Sequence, residues 1–200
     1  MMNLHQRKLF KVREFTLHAG HLNVKSRDLT SSEELNISYE EIDISNIIKQ
    51  KQTDNILLII TLVFGTFLII NILNPANYEG KGLFGVAIFL LIITFVSGLL
   101  TYTKSKNVFL IPTMKNGFLE IFKSKPNHVK VEEFVNELGK RINQYLRSKY
   151  GVIDTDMPPE PQLANIQWLK EREVITPEEF ENLKSKLIKG TKQNNPVGFK

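Results

Sequence analysis

The sequence predicts an α+β membrane protein on three observations. Two long apolar runs carry no charge, short strand-like segments lie on both sides of them, and amphipathic helical spacing begins only after residue 130. The expected architecture is a small antiparallel sheet capped by a C-terminal helix. A two-helix transmembrane hairpin is inserted in that sheet, and an α-helical hairpin ends the chain.

The apolar runs are Ile56–Leu73 (ILLIITLVFGTFLIINIL) and Leu83–Leu100 (LFGVAIFLLIITFVSGLL), 18 residues each. That length reaches across a hydrocarbon core, where only a helix can satisfy its own backbone groups. A soluble core this small has little with which to cover two helices apolar on every side. Pro75 is expected to stop the first helix, and Gly80 and Gly82 to allow the reversal. So short a connection makes the two helices antiparallel neighbours, occupying residues 55–101 with their flanks.

Positive charge sets the expected orientation. Lys49 and Lys51 precede the first run, and Lys104, Lys106 and Lys115 follow the second. The connecting loop balances Lys81 with Glu79. The positive-inside rule therefore places both termini in the cytoplasm of a multi-pass protein of the inner (cytoplasmic) membrane. Residues 102–150 hold ten basic and four acidic side chains, which makes Lys104, Lys106 and Lys115 candidates for contact with lipid headgroups. Within the spans, Thr61 and Gly65 are four apart, as are Thr94 and Gly98. Small residues at that spacing let helices approach closely, so these four are candidate packing positions. Neither span has an ionisable residue, which argues against a proton relay.

The soluble parts are short. Phe10–Leu17, Leu22–Val24 and Leu35–Tyr39 read as strands, with Asp28–Glu34 as a polar turn. Glu40–Ile48 is ambiguous and could be a strand heading toward the membrane. After the second span, Asn107–Ile111 is an apolar strand limited by Pro112. Asn116-Gly117 signals a hairpin, and Phe118–Phe122 is the next strand. From Val131 to Tyr150 the period changes: Val131, Phe134, Val135, Leu138, Ile142, Tyr145 and Leu146 share one helical stripe. Neither half has enough to bury alone. Residues 8–54 and 102–150 are therefore expected to join into one domain, which the antiparallel spans would bring together.

Residues 151–162 are polar and proline-rich and read as a linker. Residues 163–190 read as a helical pair. Thr176-Pro177-Glu178-Glu179 is a capping box that opens its second helix, and Gly190 is expected to end it. The tail, 191–200, is expected to be disordered.

Chemistry is sparse. The chain has no cysteine, which removes disulfides, thiolate metal sites and cysteine nucleophiles and suits a reducing cytosol. The first fifty residues hold no apolar run of signal-peptide length, so the first span would act as the insertion signal. His18 and His21 sit in a strand-turn-strand with no acidic or cysteine set beside them, and no metal site, cofactor or catalytic constellation is expected. No phosphate loop or nucleophile elbow occurs. The positive stretch beside a span is accounted for by the bilayer, so nucleic acid is not an expected partner.

Strands followed by a helix introduced by KSKPNHVKVEEFVNEL (Lys123–Leu138) resemble the pleckstrin-homology superfold. That resemblance covers residues 8–150 and implies a bent antiparallel sheet closed by its C-terminal helix, here split by the hairpin. No basic motif for phosphoinositides stands in the early strand loop. A second stretch, LANIQWLKEREVITPEEFENLKSKLI (Leu163–Ile188), resembles the SHOCT module of bacterial proteins at Leu169, Ile175, Thr176, Glu178, Glu179, Phe180, Lys184, Leu187 and Ile188. Glu173-Val174 stands where a glycine usually precedes the Ile-Thr pair. This resemblance implies a bacterial source and oligomerisation or partner docking. A module this short buries little by itself, so Trp168, Leu169, Phe180, Leu183 and Leu187 are candidate interaction residues. The expectation is a non-enzymatic membrane-anchored scaffold or interaction protein. Its partners would be the lipid bilayer and either a second copy or another protein bound through 163–190. The alternative is an accessory subunit of a membrane transport or channel complex.

Overall fold

The computed structural model describes residues 2–73, 83–115, 117–154 and 156–193. The chain is α+β, with two antiparallel sheets and, among the described residues, five helices. It divides into two compact units. Residues 1–48 and 109–200 form one, and residues 49–108 form the other.

The first unit opens with a meander. Strands β1 (Asn3–Lys8), β2 (Lys11–Leu17), β3 (His21–Arg27) and β4 (Ser32–Ser38) pair in chain order. All three pairings are antiparallel, with Leu4 opposite Phe15, Phe15 opposite Val24 and Val24 opposite Leu35. Asp28 shapes the β3–β4 turn: its carboxylate accepts from the backbone N–H groups of Thr30 and Ser31, which hold its pKa down to about 2. Strand β1 was not anticipated, because its Asn-Leu-His-Gln pattern is too polar to announce itself. Gln6 explains the polarity. It is fully buried, and its amide donates to the carbonyl of Phe122 and accepts from the N–H of the same residue, both at 2.8 Å.

The second sheet has the order β5-β6-β7, from β5 (Ile48–Gln52), β6 (Lys106–Thr113) and β7 (Gly117–Phe122). Two expectations are corrected here. Glu40–Ile48 is not a strand: it is turns and bends with a lone bridge from Ile42 to Thr113, and β5 begins at its end. Three aspartate-side-chain bonds around Asp43, to Ser45 and Asn46, favour the turn over extension. Nor does Pro112 end β6. Proline lacks an N–H but keeps its carbonyl, which accepts from the N–H of Asp43 at 2.9 Å. Of the Asn-Gly turn, Asn116 lies outside the described residues, and Gly117 takes a left-handed φ of 72°.

Helix α3 (His128–Tyr150) starts three residues before its expected stripe because Asn127 caps it, accepting from the N–H of Lys130. Six of the seven stripe residues are buried and Tyr145 is half-buried. They meet Leu4, Phe15, Leu17 and Leu22 from the first sheet and Ile111, Leu119 and Ile121 from the second in one core.

Helices α4 (Pro159–Glu171) and α5 (Pro177–Gln193) follow. The connection before them is ordered by Gln162, which bonds the backbone of Asp154, Met157 and Pro158. Gly190 does not end α5, which continues to Gln193. One glycine costs a helix about 1 kcal/mol and does not stop it. Of the expected tail, 191–193 are thus helical, and 194–200 lie outside the described residues. The capping box forms in full. The N–H of Glu179 donates to the Thr176 hydroxyl at 3.1 Å, and the N–H of Thr176 to the Glu179 carboxylate at 2.8 Å.

In the second unit, helices α1 (Asn55–Leu73) and α2 (Leu83–Lys104) are long and apolar enough to cross a membrane. Their connection, including Pro75, Gly80 and Gly82, lies outside the described residues. Asp54 caps α1 by accepting from the N–H of Leu57. No residue of α1 is buried, although it packs along α2.

Candidate functional site

The four small span residues meet in crossed pairs. A methyl group built on Gly65 would lie 3.6 Å from the Thr94 methyl, and one on Gly98 would lie 3.6 Å from the Thr61 methyl. Each threonine thus fills the notch left by the glycine on the other helix. A hydroxyl cluster adjoins them. The Thr61 hydroxyl donates to Leu57 O at 2.8 Å and lies 3.0 Å from Ser97 Oγ and 3.5 Å from Thr101 Oγ1. Ser97 and Thr101 are buried, and both also bond carbonyls of their own helix. The sequence reading missed this pair. The signal was present: Thr94, Ser97 and Thr101 recur at three and four residues, the spacing of one helix face. The Thr94 hydroxyl is buried without a hydrogen-bond partner among the described residues.

The lysines are placed unevenly. Lys104 lies 3.6 Å from Asp54, which joins the last turn of α2 to the cap of α1. Lys115 lies 2.9 Å from Glu41. Lys106 opens β6 and is exposed. Lys104 and Lys115 therefore each have a carboxylate beside them.

The interaction candidates of the C-terminal pair face inward. Leu169, Phe180 and Leu187 are buried, and Trp168 and Leu183 are half-buried. Leu169, Phe180, Ile166, Val174 and Ile175 belong to the same core as α3 and the sheets. Trp168 meets the ring of Tyr150 edge-on at 5.3 Å. Two arginines fasten the rim. Arg147 of α3 donates two parallel bonds to the Glu179 carboxylate, at 2.9 and 3.0 Å, and a third to the carbonyl of Val174. Arg172 donates to the carbonyls of Glu40 and Ile42. Burial pulls the pKa of Arg172 below its ordinary value. The Glu40 carboxylate accepts from Lys149 and Tyr145; the Lys149 bond draws its pKa down, and the same bond raises that of Lys149. From the sequence, Arg147 is read only as a charge favourable to the α3 dipole and Glu40 as a solvated surface pair with Glu41, and Arg172 is not singled out.

The His18 and His21 rings stack at 4.5 Å and 10°. No group of three or more potential metal ligands gathers among the described residues. Comparisons with family models, with characterised proteins and with solved structures find no match to this chain.

Proposed function

We propose that this chain is a membrane-anchored, non-enzymatic interaction protein of a bacterial inner membrane. Its strands and α3 are read as a pleckstrin-homology-like domain split by the spans, and α4–α5 as a SHOCT-like helical pair. The observation that carries the reading is the division of the chain. Residues before and after the apolar hairpin share one core, while the hairpin between them leaves most of its apolar side chains exposed. Only Thr53 and Asp54 separate β5 from α1, and only Ser105 separates α2 from β6. Such links leave little chain between the strands and the apolar helices.

In this reading both termini are cytoplasmic, and the outward face of the C-terminal pair, where Ile188 is half exposed, takes a second copy or a protein partner. The natural absence of cysteine makes the topology directly measurable. Ala76→Cys is expected to react with an impermeant maleimide on intact cells after removal of the outer membrane, and Ser32→Cys only after permeabilisation. Labelling of both from the same side would overturn the topology. Ile188→Lys is expected to reduce cross-linked species in native membranes, and an unchanged pattern would remove that face from the proposal.

The alternative, an accessory subunit of a transport or channel complex, draws on the exposed span faces, among them Phe67, Phe89 and Phe95. Recovery of a stoichiometric multi-span partner in mild detergent would favour it.

A further inference from the structure

The two sheets treat their outer strands differently. The edge of β7 is occupied by side chains: Gln6 takes both backbone groups of Phe122, and Arg13 donates to the carbonyl of Glu120 at 2.9 Å. Strand β4 has no such cover. All seven of its residues pair with β3, it closes the order β1-β2-β3-β4, and among the described residues nothing pairs with its other side. An open cavity of about 340 Å³ lies beside it, between β4 and β7, lined by the apolar Val24, Leu35, Ile37 and Phe118 and by the ion-paired Arg13 and Glu120. At its mouth Leu35 remains 42% exposed and Phe118 54%. Glu33 is exposed on the same strand, next to Glu34.

An unpaired strand edge offers main-chain hydrogen bonds, and an adjacent, partly apolar cavity offers selection of a side chain. We propose that β4 is a docking edge for an extended segment of a partner protein. One apolar side chain of that segment enters the cavity, and a basic residue flanking it meets the exposed Glu33. The charge argues for this occupant over a second copy: Glu34 already has Lys25 at 3.3 Å, and β4 against β4 would add the exposed Glu33 of both copies at one seam. The inference rests on reading the chain as an interaction protein but not on its crossing a bilayer. Strand addition is read by peptide binding and insertion by labelling, so either can fail alone.

The test uses the full chain in detergent micelles and a fluorescent heptapeptide in which lysine alternates with valine and phenylalanine. Saturable binding is expected, with amide exchange slowed over Glu33–Ile37. A glutamate version and a version with a central proline are expected to bind at least about tenfold more weakly. Glu33→Lys and Leu35→Lys, both at exposed positions, are each expected to weaken the lysine peptide while leaving circular dichroism unchanged. Absence of saturable binding, equal binding of the proline peptide, or slowed exchange elsewhere would overturn the proposal. Slowed exchange in β4 that grows with protein concentration and needs no peptide would give the edge to a second copy, and would overturn it equally.

Discussion

Among the described residues two non-glycines, Leu9 and Glu173, hold left-handed backbone, with φ of 51° and 56°. Glu173 occupies the turn between α4 and α5, where the SHOCT resemblance expects glycine nearby. A side chain there costs about 1 kcal/mol relative to glycine. Glu173→Gly is therefore expected to raise stability by about 0.5–1 kcal/mol, read as a higher denaturant midpoint at unchanged slope. Glu179 gives a pH prediction. Its pKa is lowered by the Thr176 N–H and by Arg147. A depressed carboxylate stabilises the fold above its unfolded pKa and loses that contribution as pH falls through the folded value. Amide protection in α4 and α5 is thus expected to decline from about pH 4.3 downward. Glu179→Gln should flatten that decline; a variant with the same pH profile would assign the effect elsewhere. The capping box was legible in the sequence because cap, proline and glutamate lie within four residues. The Arg147 and Arg172 bonds were not, since their partners lie 27 to 132 residues away.

At the level of elements, apolar runs and period changes announced the helices well. Their boundaries moved where a single polar residue decided them, as Asn127 does for α3. Strands were harder. Strand β1 is half polar, yet the buried Gln6 amide serves as a strand substitute for β7, a role no alternation rule would find. The crossed Thr–Gly pairs of α1 and α2 combine two sequence spacings into one contact that only their antiparallel pairing reveals. Gly98→Ala is expected to be nearly neutral, because the added methyl meets Thr61 at ordinary contact distance. Gly98→Leu overfills the notch and is expected to destabilise the helix pair by about 1–3 kcal/mol. Disulfide formation between cysteines placed at facing positions of the two helices would measure it, and equal rates for both variants would refute the packing.

For the whole molecule, the sequence led to the view that 163–190 is a separate module awaiting a partner. Its apolar stripe is instead largely covered by the chain itself. The stripe was visible, but a stripe does not say against what it packs. Truncation after Gly151 removes Ile166, Leu169, Val174, Ile175 and Phe180 from the core. It is expected to cost about 3 kcal/mol or more and to lower the thermal midpoint of the remaining domain markedly. An unchanged transition would restore the independent module.

The side-chain bridge from Gln6 to Phe122 spans 116 residues, and that from Arg172 to Glu40 spans 132. During synthesis the first four strands leave the ribosome long before anything that can cover them. Both apolar helices must be disposed of first, and the final helices come last. Such nonlocal closure makes folding slow. The N-terminal meander therefore waits, open, until both apolar helices have been made, and anything that binds nascent chains meets this one while its sheet is still uncovered.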